Sequence, residues 1–176
     1  VEYHLTQQQE KTRYARHRNT ADNKDYVDYL SKIADAVLNL AGTSAMICDF
    51  GSGREHVLAD ILNSREAACV AHDPLYGMVA AAKGQFDVVV ACESLEHLRD
   101  PRQGMDFIMR LVKPRGIVYV RTRLYDPAGD FSAWWYAKDP AHIAFYCERT
   151  MKTVAELLGK RNVESNGKDV VIFRPL

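Results

Sequence analysis

Apolar positions along the chain follow two spacings. From Tyr26 to Leu38 they recur at helical intervals (Tyr26, Val27, Leu30, Ile33, Ala34, Val37, Leu38), predicting a helix that Asp22 caps and Ala41-Gly42 ends. Val57, Leu58, Ile61 and Leu62 mark a second helix. A third begins at Asp100-Pro101, a cap followed by proline at the first helical position, and buries Met105, Ile108, Met109 and Val112. Thr150 to Leu158 predicts a fourth, stopped by Gly159.

Between these lie short, continuous apolar runs: Ala45 to Cys48, Ala67 to Ala71, Phe86 to Ala91 and Ile117 to Val120. Each is strand-like and is bounded by glycine, proline or aspartate. Lys113-Pro114-Arg115-Gly116 should break the third helix before its strand. Near the end, Val163 and Val170 to Phe173 flank Asn166-Gly167, a hairpin signal. Buried strands alternating with helices predict an α/β fold: a mostly parallel sheet with helices on both faces, closed by a C-terminal antiparallel hairpin. Ligands of such sheets bind outside the carboxyl ends of the strands. Those ends carry Asp49, Asp73, Cys92-Glu93 and Arg121-Thr122-Arg123.

Composition narrows the classes. The 176 residues carry 23 Lys plus Arg and 23 Asp plus Glu, which argues against dedicated nucleic-acid binding. No apolar run approaches the ~18 residues of a membrane span. The first residue is Val rather than Met, as expected of a trimmed chain, and residues 1–20 are polar, unlike a secretory signal. The four cysteines form no Cys-x-x-Cys pair and read as reduced thiols of a cytoplasmic protein, with no metal site expected.

Candidate chemistry starts at Asp49-Phe50-Gly51-Ser52-Gly53, a strand entering a glycine turn before a helix. Glycines let a ligand reach the backbone. As a dinucleotide fingerprint the turn fails, because His56 occupies the third glycine position. Asp49 would repel a pyrophosphate and suits an ammonium group. Asp73, twenty residues after Gly53, can accept hydrogen bonds from ribose hydroxyls. The two aspartates together suggest a cationic amino acid joined to a ribose.

The run Phe86-Asp87-Val88-Val89-Val90-Ala91-Cys92-Glu93-Ser94-Leu95-Glu96-His97-Leu98 resembles the class I S-adenosylmethionine-dependent methyltransferases, whose fourth strand reads aromatic-Asp-apolar and ends in Glu-His-Leu. Leu111 to Gly116 is similar to their lead into the fifth strand. The Trp134 to Tyr146 block, with Asp139-Pro140-Ala141-His142, is similar to a narrower bacterial subgroup. So is the Tyr14-x-x-His17-x-Asn19 segment. The resemblance implies a Rossmann-like methyltransferase fold and S-adenosylmethionine as cofactor. It divides the chain into an N-terminal segment and helix, residues 1–40, packed on one methyltransferase-like domain, residues 41–176.

It further implies that Asp49, Phe50, Gly51, Ser52 and Gly53 hold the cofactor's amino-acid end, Asp73 and Pro74 its ribose, and Glu93 its floor. His142, His17 or Glu93 would act as base, and Tyr14, Asn19, Trp134 and Arg123 would meet a small-molecule acceptor. Three departures stand out. Arg54-Glu55 replace the subgroup's Pro-Gly after the glycine loop, and Arg115 replaces a glycine before the fifth strand. Only twelve residues separate Asp73 from Phe86, so the third strand should be reduced or missing. Adenine would then rest on Leu75, Tyr76 or Gly84-Gln85-Phe86. Two rival readings are a cofactor-binding sensor or scaffold without turnover and a nicotinamide-dependent oxidoreductase. His142 also reads as a structural histidine, and Glu96-His97 as a helix start. Both the aromatic block and the Tyr14 segment should lie across the carboxyl edge, with His17 and His142 facing the reacting methyl.

Overall fold

The computed structural model of the chain describes residues 4–79, 83–157 and 162–175. Its elements run α1 (Gln7–Tyr14), α2 (Lys24–Ala41), β1 (Met46–Phe50), α3 (Val57–Ser64), β2 (Ala68–His72), β3 (Phe86–Cys92), α4 (Pro101–Leu111), β4 (Val112–Arg121), α5 (Glu148–Leu157), β5 (Asn162–Ser165) and β6 (Val170–Arg174). The strands form one sheet in the order β2-β1-β3-β4-β6-β5, with β2, β1, β3 and β4 parallel and β6 antiparallel to both its neighbours, β4 and β5. This is the Rossmann-like arrangement with the terminal hairpin.

Strand alternation divides the core between the two faces. Ile47, Val88, Val90 and Tyr119 pack on Leu30, Ile33 and Val37 of α2 and on Val57, Leu58 and Leu62 of α3. Cys48, Val89, Ala91, Val118 and Val120 face the opposite way, onto Met105 and Ile108 of α4 and Met151 and Ala155 of α5.

Several local expectations shift. The cap of α2 is Asn23 rather than Asp22, and its side chain makes no capping bond; Asn23 Nδ2 donates to the Arg18 carbonyl at 2.6 Å while Asp22 binds the Thr20 hydroxyl. Lys113 to Gly116 does not separate helix from strand. The chain passes from α4 straight into β4, and the four residues form an irregularity between the Phe86–Val112 and Val88–Ile117 pairs. Gly116 is needed there, because a Cβ would sit 2.9 Å from the Phe86 carbonyl oxygen and 2.8 Å from that of Asp87. Asp100 caps α4 as expected, accepting from Gln103 N at 2.9 Å. Leu158 and Gly159, the expected end of α5, lie outside the described residues.

Where the resemblance places a third strand, between β2 and β3, the described residues form none. The chain leaves β2 through a 3-10 turn at Pro74–Tyr76, and Asp73 bridges to Met78. β2 therefore forms one edge of the sheet, with Val70 43% exposed.

Candidate active site

The carboxyl ends of β1 and β2 bring the glycine turn and two aspartates together. Asp49 is 2% exposed, and its Oδ2 has no hydrogen-bond partner. Burial pushes its carboxyl up to about 7, against the lowering effect of a hydrogen bond from the Ala59 backbone. Gly51 takes a φ of 75°, and a Cβ there would lie 2.4 Å from Ser94 Cβ, so glycine is required where the turn meets the end of β3. Gly53, with φ of 70°, faces open space.

Asp73 fastens the turn. Its Oδ2 accepts from Gly53 N and its Oδ1 from Leu75 N, both at 3.0 Å. Each oxygen keeps a second lone pair for another donor. Burial raises its carboxyl pKa, opposed by these amide bonds. Phe50 is buried and stacks on His72 with ring centroids 5.3 Å apart. Ser52 N donates to the His72 carbonyl at 3.4 Å, and Pro74 starts the 3-10 turn. Arg54 and Glu55 form an exposed pair at 3.5 Å. Of the residues expected near adenine, Phe86 is instead 1% exposed and belongs to the core.

A second group gathers at the ends of β3 and β4. Glu93 holds a left-handed backbone, φ 46°, and accepts from Tyr29 at 3.1 Å and Tyr136 at 3.0 Å. The Tyr136 hydroxyl also lies 2.6 Å from Glu96 Oε1, and Thr122 Oγ1 donates to Glu96 Oε2 at 2.9 Å. One phenolic proton thus faces two carboxylates. Burial, then the charge of Glu93, push the Glu96 carboxyl up to about 8. Glu96 also ties down the aromatic block: its carbonyl accepts from Ile143 N at 2.8 Å and Ala144 N at 3.0 Å.

His142 joins this group through Nδ1, 2.8 Å from the Tyr136 carbonyl, and its ring centroid is 5.0 Å from that of His97. Burial lowers the His97 pKa. α1 lies across the same edge: Tyr14 meets His97 edge-on at 5.3 Å, Arg13 pairs with Asp139 at 2.8 Å, and Lys11 lies over the Tyr76 ring at 5.7 Å. His17 and Asn19, beyond α1, are exposed. Trp134 packs among Tyr125, Phe131, Tyr136 and Phe145. Arg123 pairs with Asp169 at 3.3 Å and lies over the Trp135 ring, 64% exposed, at 5.9 Å.

The structure thus brings Asp49, Gly51, Gly53 and Asp73 together at one end of the edge, and Glu93 and His142 at the other. Sequence reasoning missed Tyr29, read Tyr136 as packing within the aromatic block, and left Glu96-His97 open between a helix start and a substrate contact. The signal for Glu96 was available: a carboxylate four residues past the end of β3, followed by histidine, is costly to bury without a purpose.

Comparison with known proteins places the chain. A family model described as a methyltransferase domain matches residues 14–165. A ubiquinone biosynthesis O-methyltransferase from Psychrobacter cryohalolentis is 30% identical over 89 residues, covering 48% of this chain and 35% of that protein. A second enzyme of that name, from Psychrobacter arcticus, is 34% identical over 64 residues, 36% of this chain and 25% of its own. The matched stretches therefore span about a third or less of these curated relatives. Among solved structures, the Burkholderia thailandensis 1,6-didemethyltoxoflavin-N1-methyltransferase with bound 1,6-didemethyltoxoflavin and S-adenosylhomocysteine superposes with a TM-score of 0.63 at 15% identity, covering 100% of this chain and 94% of that one. At that identity the likeness speaks for the fold.

Proposed function

The chain belongs to the methyltransferase-domain family, and on that footing we propose that it transfers a methyl group from S-adenosylmethionine to a small organic acceptor bound over the carboxyl edge of the sheet. The observation that carries this reading is the buried, unpartnered Oδ2 of Asp49 beside the glycine turn that Asp73 fastens. The residues fit the cofactor. Asp49 would balance its ammonium group, Gly51 and Gly53 would admit its amino-acid end to the backbone, and the spare lone pairs of Asp73 would take the ribose hydroxyls. The bound cofactor supplies a methyl on a positively charged sulfur, a good leaving group.

The chain's own work is placement and water exclusion. Glu93, held by Tyr29 and Tyr136, would form the floor of the cofactor site. The aromatic block, with Trp134 at its centre, and Tyr14 from α1 would close the acceptor side. Proton removal from the acceptor is assigned to the Glu96–His97–His142 group rather than to exposed His17. The names of the partial relatives favour an oxygen acceptor. Membership in a methyltransferase family leaves the nicotinamide reading unsupported and does not favour a cofactor-binding scaffold without turnover.

Calorimetric titration with S-adenosylhomocysteine tests the reading. Asp73→Ala should weaken binding by about 1.5–3 kcal/mol, the usual range for hydrogen bonds to a charged group. Equal binding by wild type and variant would remove Asp73 from the site.

A further inference from the structure

Glu96, His97 and His142 converge: a carboxylate oxygen and one ring nitrogen from each histidine lie within 4.8 Å of one another. The residues come from two distant parts of the chain, the turn after β3 and the aromatic block, so their meeting is a product of the fold. Both imidazoles are already set in one tautomer. His97 Nδ1 lies 2.8 Å from the Ala141 carbonyl oxygen, and His142 Nδ1 lies 2.8 Å from that of Tyr136. A carbonyl oxygen only accepts, so each Nδ1 carries the proton and each Nε2 is left with a lone pair. A backbone carbonyl holding Nδ1–H while Nε2 stays open is how metal-ligating histidines are oriented.

The carboxylate supplies the independent observation. Glu96 is 0% exposed, and its oxygens meet the hydroxyls of Tyr136 and Thr122. The nearest imidazole nitrogen, His97 Nε2, is 4.0 Å from Oε1 and in this tautomer has no proton to give. The adjacent Glu93 draws on the same Tyr136 hydroxyl. Two carboxyl groups therefore meet at one phenol, and a ring nitrogen of each histidine lies within 4.8 Å of a Glu96 oxygen.

We propose that Glu96, His97 and His142 bind a divalent transition-metal ion. Two imidazoles and a carboxylate suit zinc and its first-row neighbours, and are a poor set for magnesium, which prefers oxygen ligands. Tetrahedral ligands at about 2.0–2.2 Å from an ion lie about 3.3–3.6 Å apart. The side chains must draw in by roughly an ångström, which rotation of the Glu96 carboxylate away from the Tyr136 hydroxyl can provide. Three protein ligands leave a coordination position open, as in catalytic zinc sites. The ion would sit beside the aromatic block, on the side assigned to the acceptor. Its use, binding an acceptor oxygen and easing loss of its proton, rests on the methyl-transfer reading; its binding does not.

Tag-free protein dialysed against a chelator should take up one equivalent of Zn2+ in calorimetry, and of Co2+ with visible absorption bands, while Mg2+ gives no stoichiometric binding. His97→Ala and His142→Ala should each weaken Zn2+ binding about tenfold or more. His56→Ala, which removes an exposed histidine paired with Asp60 at 3.1 Å, should leave it unchanged. If either cluster variant fails to fold, histidine-15N spectra of the wild type decide: Zn2+ should move the Nε2 resonances of two of the six histidines. Absence of stoichiometric binding, binding that survives a folded His142→Ala, or shifts confined to other histidines would overturn the site. Failure of S-adenosylhomocysteine binding with Zn2+ binding intact would instead overturn the cofactor reading alone.

Discussion

A carboxylate buried without a cation beside it costs stability in its ionised form, and Asp49 stands in that position. Its pKa in the folded chain, about 7, exceeds the ordinary aspartate value. The folded protein therefore holds this proton more tightly than the unfolded chain does. The stability this provides is complete below about pH 4, and it is lost as the pH rises through about 7. Thermal midpoints of the cofactor-free protein should accordingly fall between pH 5 and pH 8. Asp49→Asn, uncharged throughout, should flatten that fall by an amount on the order of 3 kcal/mol. Parallel curves for wild type and variant would show that Asp49 does not carry the effect. Asp49, Gly51, Gly53 and Asp73 were legible in the sequence because their positions follow from local rules: a strand end, a turn, a strand end. The His97–His142 meeting was not, since it spans the whole of α4, β4 and the aromatic block, and no local spacing encodes it.

Elements depend on single positions where backbones approach closely. Gly116 lies where β4 passes β3, and an added Cβ would meet Val112 Cγ2 at 2.7 Å as well as two carbonyl oxygens of the neighbouring segment. Gly116→Ala should cost about 1–3 kcal/mol, read as a lowered urea midpoint. Because the position is far along β4 from the carboxyl edge, S-adenosylhomocysteine affinity of the folded fraction should stay the same. A shifted affinity with an unchanged midpoint would contradict this account. The same segment shows where sequence reasoning about elements ran out. Proline and glycine at Pro114 and Gly116 read as a break, yet Pro114 is exposed and the irregular β3–β4 pairing absorbs it, so the strand begins five residues before Ile117. Helix α1 was missed, because Gln7–Tyr14 buries no apolar face and shows no helical spacing of apolar residues; the other strands and helices were legible, because continuous apolar runs and helical spacing differ in period and the sheet buries both faces.

At the scale of the whole molecule, the sheet ends at β2 on one side and at the hairpin on the other, and the two edges have different consequences. The hairpin completes the core beneath α5, with Val171 and Phe173 buried. The β2 edge leaves the side proposed for the ribose without the strand and helix that would wall it; after Asp73 the described residues form the Pro74–Tyr76 turn and reach Met78–Val79 before Gly84 and β3, with Val79 65% exposed. The side proposed for the acceptor is the reverse, covered by α1 and the aromatic block and tied by the Arg13–Asp139 pair and the Tyr14–His97 contact. The cofactor pocket should therefore be open at its adenine end and closed at its methyl end. An S-adenosylhomocysteine analogue with a bulky group on the adenine amine should compete with the parent with at most about a tenfold loss, equivalent to about 1.4 kcal/mol. The same bulk placed at the sulfur should abolish competition, because that end faces the packed aromatic block. Displacement titrations with the two analogues test both ends at once. Exclusion of the adenine-substituted analogue would overturn the open β2 edge as the adenine end of the pocket.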